Sequence, residues 1–161
     1  MKQLILFLLL FLTTAVKAQP YINFSFDANK AFHLKENTRT VNDVYGLDYD
    51  IEIGAKENNF GVYAFYGRFN EAGFVNYGAG VDYYLPIFEN IDTSIGIAYS
   101  PTKQRDFRDK WEGVGMYSAR AVTTFWINNL GISLRANIQN RTDVTKGYIL
   151  EGALGFSFRF K

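Results

Sequence analysis

The sequence predicts an all-β fold: an eight-stranded antiparallel up-and-down barrel that spans a membrane. Three observations carry this prediction. Eight segments alternate apolar and polar side chains at a period of two. Their apolar faces, forty-five positions in all, hold no charged residue, while the opposite faces hold twelve. The connections between segments also alternate between long and short. At 20% charged residues, about nine of the forty-five positions would be charged if charge were spread evenly, so the separation belongs to the pattern.

The chain opens with a positive residue, Lys2, then an unbroken apolar run from Leu4 to Leu12, then Val16, Lys17 and Ala18 with the small-residue spacing of a cleavage site. Residues 1–18 therefore read as a secretory signal peptide, and the run is far shorter than the roughly 20 residues of a membrane-spanning helix. Residues 19–161 form one domain. Without Lys2 and Lys17, the 17 basic residues become 15 against 16 acidic ones, a near-neutral balance that gives no electrostatic case for nucleic acid. The absence of cysteine excludes a disulfide framework, a thiolate metal site and a lipidated cysteine.

Aromatic residues make up 17% of the chain, there are only three prolines, and no helical stripe competes with the alternation. The first strand presents Ile22, Phe24, Phe26 and Ala28 outward. The second, the clearest, presents Tyr45, Leu47, Tyr49, Ile51, Ile53 and Ala55 against Asp48, Asp50, Glu52 and Lys56. The third is phased by Arg68 alone, which assigns Gly61, Tyr63, Phe65, Gly67 and Phe69 outward and Val62, Ala64 and Tyr66 inward. The fourth runs through Val75, Tyr77, Ala79, Val81, Tyr83 and Leu85, and the fifth through Ile91, Thr93, Ile95, Ile97 and Tyr99. Arg120 phases the sixth, from Gly115 and Tyr117 to Phe125 and Ile127. Leu130, Ile132, Leu134, Ala136 and Ile138 define the seventh; Tyr148, Leu150, Gly152, Leu154, Phe156, Phe158 and Phe160 define the last.

Alternation does not say which face is inside, because a soluble lipocalin-like barrel would turn its apolar face inward around a ligand. Three features choose the membrane arrangement. The polar face is rich in small residues such as Gly78, Gly80, Ser94, Gly96, Ser133 and Gly155, which a narrow eight-stranded interior requires. Lysine, the usual solubilising residue of exposed strands, appears on that face only as Lys56. Outward aromatics gather toward strand ends, with Tyr45, Phe69, Tyr99, Tyr117 and Tyr148 at one rim and Tyr83, Phe125, Phe158 and Phe160 at the other, as in the girdles of membrane barrels.

The links after odd-numbered strands are Asn29 to Asp43, Asn70 to Ala72, Pro101 to Glu112 and Asn140 to Lys146; those after even-numbered strands are Glu57 to Asn59, Pro86 to Asn90 and Asn128–Asn129. Long external loops and short periplasmic turns are the outer-membrane topology, to which the short Asn70 to Ala72 link is the exception, and Asn-rich turns fit residues that tolerate positive φ. In this pattern of strands and loops the chain resembles the small outer-membrane barrels of the OmpA/OmpX type. Its final segment, Gly155 to Phe160, is similar to the C-terminal strand signal of that family, although Lys161 follows the aromatic. The resemblance implies insertion by the barrel-insertion machinery of a Gram-negative cell outer membrane, with outer-membrane lipid and lipopolysaccharide as neighbours.

An eight-stranded lumen is filled by side chains, so a porin-like open pore is not expected. The inward charges Asp48, Asp50, Glu52, Arg68, Asp82, Asp92, Arg120, Arg135, Glu151 and Arg159 form the candidate polar network, with Asp27 and Lys56 beside them. Unpaired, each buried ion is unfavourable by several kcal/mol, so ion pairs to acids on neighbouring strands are expected, Arg135 with Glu151 first. The bland role of such a network is filling; the sharper one is a gated ion or proton path.

Catalytic residues, cofactors and metal sites are not assigned. The only histidine, His33, lies in the first long loop. A lipid A acyltransferase or deacylase would need it near a serine, for which Ser100 is the nearest geometric candidate. The Lys103–Glu112 connection mixes both charge signs around Phe107 and Trp111, which suits a contact with lipopolysaccharide or a protein, or a solvated loop. The Asn23 and Asn140 glycosylation patterns and the paired glycines near 78–80 and 113–115 lack the context that would give them chemistry. The expected role is structural or surface-interacting, exercised through external loops toward an extracellular ligand or protein. The alternatives are a lipid A-modifying enzyme, a narrow channel and the lipocalin-like binder.

Overall fold

The structure, a computed structural model, describes residues 18–27, 49–69, 74–105, 111–141 and 148–160. Residues 1–17 of the expected signal peptide and the first long connection, with His33, Tyr45 and Asp48, lie outside the described residues. Eight antiparallel strands close a barrel in sequence order. They are β1 (Gln19–Asp27), β2 (Tyr49–Glu57), β3 (Phe60–Phe69), β4 (Phe74–Phe88), β5 (Ile91–Arg105), β6 (Trp111–Ile127), β7 (Leu130–Arg141) and β8 (Tyr148–Arg159). Closure is made by β1 against β8, from Tyr21↔Arg159 to Asp27↔Ala153.

Strand stagger follows from the registers. From Phe26 through Tyr49, Arg68, Val75 and Lys103 the ladder reaches Gly113 on β6. The other way round, through Leu154 and Leu134, it reaches Thr123, ten residues further along the same strand. A closed sheet with that shear has steeply tilted strands and an interior that side chains can fill. The tilt also brings strands that are far apart in the sheet face to face across the lumen.

Burial is inverted relative to a soluble protein. Ile97 and Leu150 are 64% and 74% exposed, while Glu52, Asp82 and Ser94 are at 3%, 3% and 2%. The apolar face is therefore the outer one, which overturns the lipocalin-like arrangement. No described helix is long and apolar enough to cross a membrane.

Seven strands have the expected phase; the third is reversed. Tyr63 and Gly67 are buried, whereas Ala64, Tyr66 and Arg68 are exposed. The sheet aligns Val62 with Ala55 and Val81, and Tyr66 with Ile51 and Tyr77, all on the outer face. Inside, Tyr63 and Phe65 lie opposite Gly80 and Gly78, whose missing side chains make room for the rings. A Cβ on Gly80 would overlap the Tyr63 phenol, and one on Gly78 would sit 3.0 Å from Phe65 Cζ. Lumen volume thus outweighs the single charge: Arg68 stands at the loop end of β3, where a long side chain can reach water.

Two boundaries also move. β4 continues through Pro86 to Phe88 by a register shift between Leu85 and Phe88, as a proline in a ladder requires. The expected Pro101–Glu112 loop is largely strand, since β5 and β6 stay paired out to Arg105↔Trp111. The short turns match expectation in their chemistry, with Asn58 at φ 52 and Asn128 at φ 57.

Candidate functional site

The lumen holds one dominant cluster, centred on Arg120 from the middle of β6. Its Nε donates to Asp82 Oδ1 at 2.9 Å and its Nη2 to Asp82 Oδ2 at 2.5 Å. On the other side Nη1 donates to Glu52 Oε2 at 2.5 Å and Nη2 to Glu52 Oε1 at 3.2 Å. One planar fork therefore engages two carboxylates bidentately, a geometry that a lysine does not offer. The Tyr63 ring lies 3.4 Å below the guanidinium carbon, adding a cation–π contact. Tyr21 donates its hydroxyl to Glu52 Oε1 at 2.8 Å. Gly96 makes the approach of Asp82 feasible, because a Cβ there would overlap the carboxylate.

Arg135 on β7 makes a second bidentate pair with Asp50, at 3.1 Å from Nη1 and 2.8 Å from Nη2, and comes within 3.9 Å of Glu52. Lys56 meets Asp92 at 2.5 Å, and Asp92 also accepts from Trp126 Nε1 at 2.9 Å. Arg159 donates to the Asn128 carbonyl at 3.0 Å with its guanidinium over the Trp126 ring. Asn23 ties Ser25, Ser133 and Ser157 together below the cluster.

These pairings correct the expectation of neighbouring-strand partners. Arg120 reaches from β6 to β2 and β4, and Arg135 from β7 to β2, so the main ion pairs cross the lumen. Glu151, the expected first partner of Arg135, lies opposite Asn137 and accepts from Gln139 Nε2. Arg68 leaves the network altogether, because it is on the outer face. Sequence reasoning did not find Tyr21, Tyr63 and Gln139 in the network. Tyr63 was detectable in principle, from the glycines opposite it on β4.

Two cavities occupy the lumen. The lower, toward the short turns, is bordered by Lys56, Tyr84, Asp92, Trp126 and Arg159; the upper by Asp50, Tyr63, Arg135, Asn137 and Glu151. Arg120 borders both, so the cluster stands between them. The Tyr63 hydroxyl, Arg135 Nε and Asn137 Oδ1 are buried without a protein partner and belong to residues lining the upper cavity, a donor and acceptor set suited to ordered water.

Ser100 does not suit the enzyme alternative: it is 1% exposed inside the lumen, donating to Asn76 Oδ1 and to the Tyr77 carbonyl. No group of acidic, histidine or cysteine residues with metal-binding geometry occurs among the described residues. Of the expected girdle aromatics, Tyr83, Tyr99, Tyr117, Phe125, Phe158 and Phe160 are exposed on the outer face. The Phe69 and Tyr148 side chains lie outside the described ones. Phe60 and Phe88 add to the lower rim and Tyr66 to the upper.

An apolar exterior around a charged, filled lumen defines a transmembrane β-barrel of the outer-membrane type. The chain is similar to several solved barrels. Neisserial surface protein A aligns with a TM-score of 0.56 at 12% identity, over 89% of this chain and 96% of that one. Ail of Yersinia pestis, in a phospholipid bilayer nanodisc, aligns at 0.54 and 15% identity, over 89% and 99%. A de novo designed transmembrane β-barrel aligns at 0.54 and 9% identity, over 89% and 96%. At such identities the likeness is one of fold. No family model and no curated protein matches the chain.

Proposed function

We propose that the protein is a non-enzymatic outer-membrane barrel with a structural or surface-interaction role, exercised through its external hairpins. One observation carries this reading. β6 is 17 residues long and β5 is 15, against the 9–11 or so that a tilted strand needs to cross a bilayer. The β6–β7 ladder ends at Met116↔Arg141, yet β5 and β6 remain paired for ten further residues, up to Arg105↔Trp111. The paired segments Pro101–Arg105 and Trp111–Gly115 thus continue roughly 17 Å along the strands beyond the last β7 pair, backed on the β5 side by β4 as far as Phe74↔Gln104 and with the other edge of β6 unpaired by described residues. The sequence linking the two strands is charged and aromatic around Phe107 and Trp111. Such an edge with an amphiphilic linking sequence suits contact with a protein or with lipopolysaccharide. The terminal strand signal fits delivery by the barrel-insertion machinery.

Topology is the test. The chain has no cysteine, so Asp109→Cys and Glu89→Cys each give a single reporter. A membrane-impermeant maleimide is expected to label the first in intact cells and the second only after lysis. The inverse pattern would place these paired segments in the periplasm and overturn a surface role. The channel alternative requires a lumen continuous past Arg120, and steady single-channel conductance in a planar bilayer would favour it.

A further inference from the structure

The reversed phase of β3 puts an arginine where sequence reasoning expected none. Arg68 is the only cation among the described outward-facing side chains, and it has no hydrogen-bond or ion-pair partner among the described residues. In register it lies opposite Tyr49 on β2 and Val75 on β4. Two residues closer to the barrel's middle, Tyr66 lies opposite Tyr77, and Tyr99 pairs with Tyr117 two strands further on. These five tyrosines form a belt on the half of the exterior toward the long connections, and Arg68 stands at its edge, level with Tyr49. Tyrosine belts mark the headgroup level of a membrane. An arginine on the lipid face is unfavourable by about 2–4 kcal/mol at mid-membrane but by only about 0–1 near the interface, so this position suits the headgroup layer.

A guanidinium at that depth is favoured by an anion, and its described neighbours on the barrel wall supply none. The anion of the headgroup layer is phosphate, which the guanidinium fork can take in two parallel hydrogen bonds. We propose that Arg68, flanked by Tyr49 and Tyr66, binds a lipid A phosphate of lipopolysaccharide in the outer leaflet. This site deepens the outer-membrane reading and rests on it. It would fix one glycolipid against the β2–β4 wall.

The test uses the full barrel and its Arg68→Gln and Arg68→Lys variants in nanodiscs, with bound lipid read by native mass spectrometry. Heat-modifiable gel mobility is checked first; a variant or wild type that fails to insert contradicts the membrane reading itself, whereas an inserted barrel isolates the phosphate site. Diphosphorylated lipid A is expected to be retained. Arg68→Gln should weaken retention roughly tenfold, and Arg68→Lys less, because it keeps the charge without the fork. Undiminished retention by Arg68→Gln, or equal retention of fully dephosphorylated lipid A, would overturn the site. Equal retention of phosphatidylglycerol would overturn the glycolipid assignment, and displacement by millimolar inorganic phosphate would indicate a soluble-anion site instead.

Discussion

Replacing Arg120 by alanine tests the lumen cluster most directly. The substitution removes four hydrogen bonds from two acids that are each 3% exposed, leaving Asp82 without its guanidinium and Glu52 with only the Tyr21 hydroxyl and Arg135 at 3.9 Å. Breaking one buried pair by deleting a partner destabilises by about 3–5 kcal/mol. Two carboxylates lose their partner here, which argues for the upper end. The vacated volume joins the two cavities, however, and water entering it rehydrates both acids, which argues for the lower. We expect a loss of about 3 kcal/mol, roughly a hundredfold in the unfolding equilibrium. The triple variant Glu52→Gln, Asp82→Asn, Arg120→Met removes the charges together and should return to within about 1 kcal/mol of wild type. Urea titration of the barrel folded in lipid vesicles, followed by tryptophan fluorescence and by gel mobility without boiling, measures both. A loss under about 1 kcal/mol for Arg120→Ala would refute the view that the acids depend on the guanidinium. A triple variant as weak as the single one would show that shape, rather than charge balance, holds the lumen.

Three further outcomes follow from the same geometry. Gly96→Ala would drive a methyl group into the Asp82 carboxylate and the Val81 carbonyl, and should lower stability by about 1–3 kcal/mol in the same titration. Lys56→Met breaks a pair whose side chains are 23% and 24% exposed, so its effect should stay under about 1 kcal/mol, well below that of Arg120→Ala. In planar bilayers the wild-type barrel should show no steady conductance, because the Arg120 cluster stands between the upper and lower cavities; long-lived openings would mean that the cluster swings aside.

The sequence by itself determined the number of strands, their antiparallel order, the outward face of seven of them and the side on which the long connections lie. These properties are local: period two assigns a face wherever charge recurs, as in β2 with Asp50, Glu52 and Lys56, and a short Asn-rich link forces a hairpin. Only the tertiary structure decided the phase of β3, where one rim arginine competed with two bulky residues, Tyr63 and Phe65, and the glycines that receive them stand on another strand. It also decided the ion pairs. The partners of Arg120 lie 68 and 38 residues away on strands that do not adjoin its own. Which side chains meet across a lumen is set by closure and by the ten-residue shear, and these arise only when β1 finds β8.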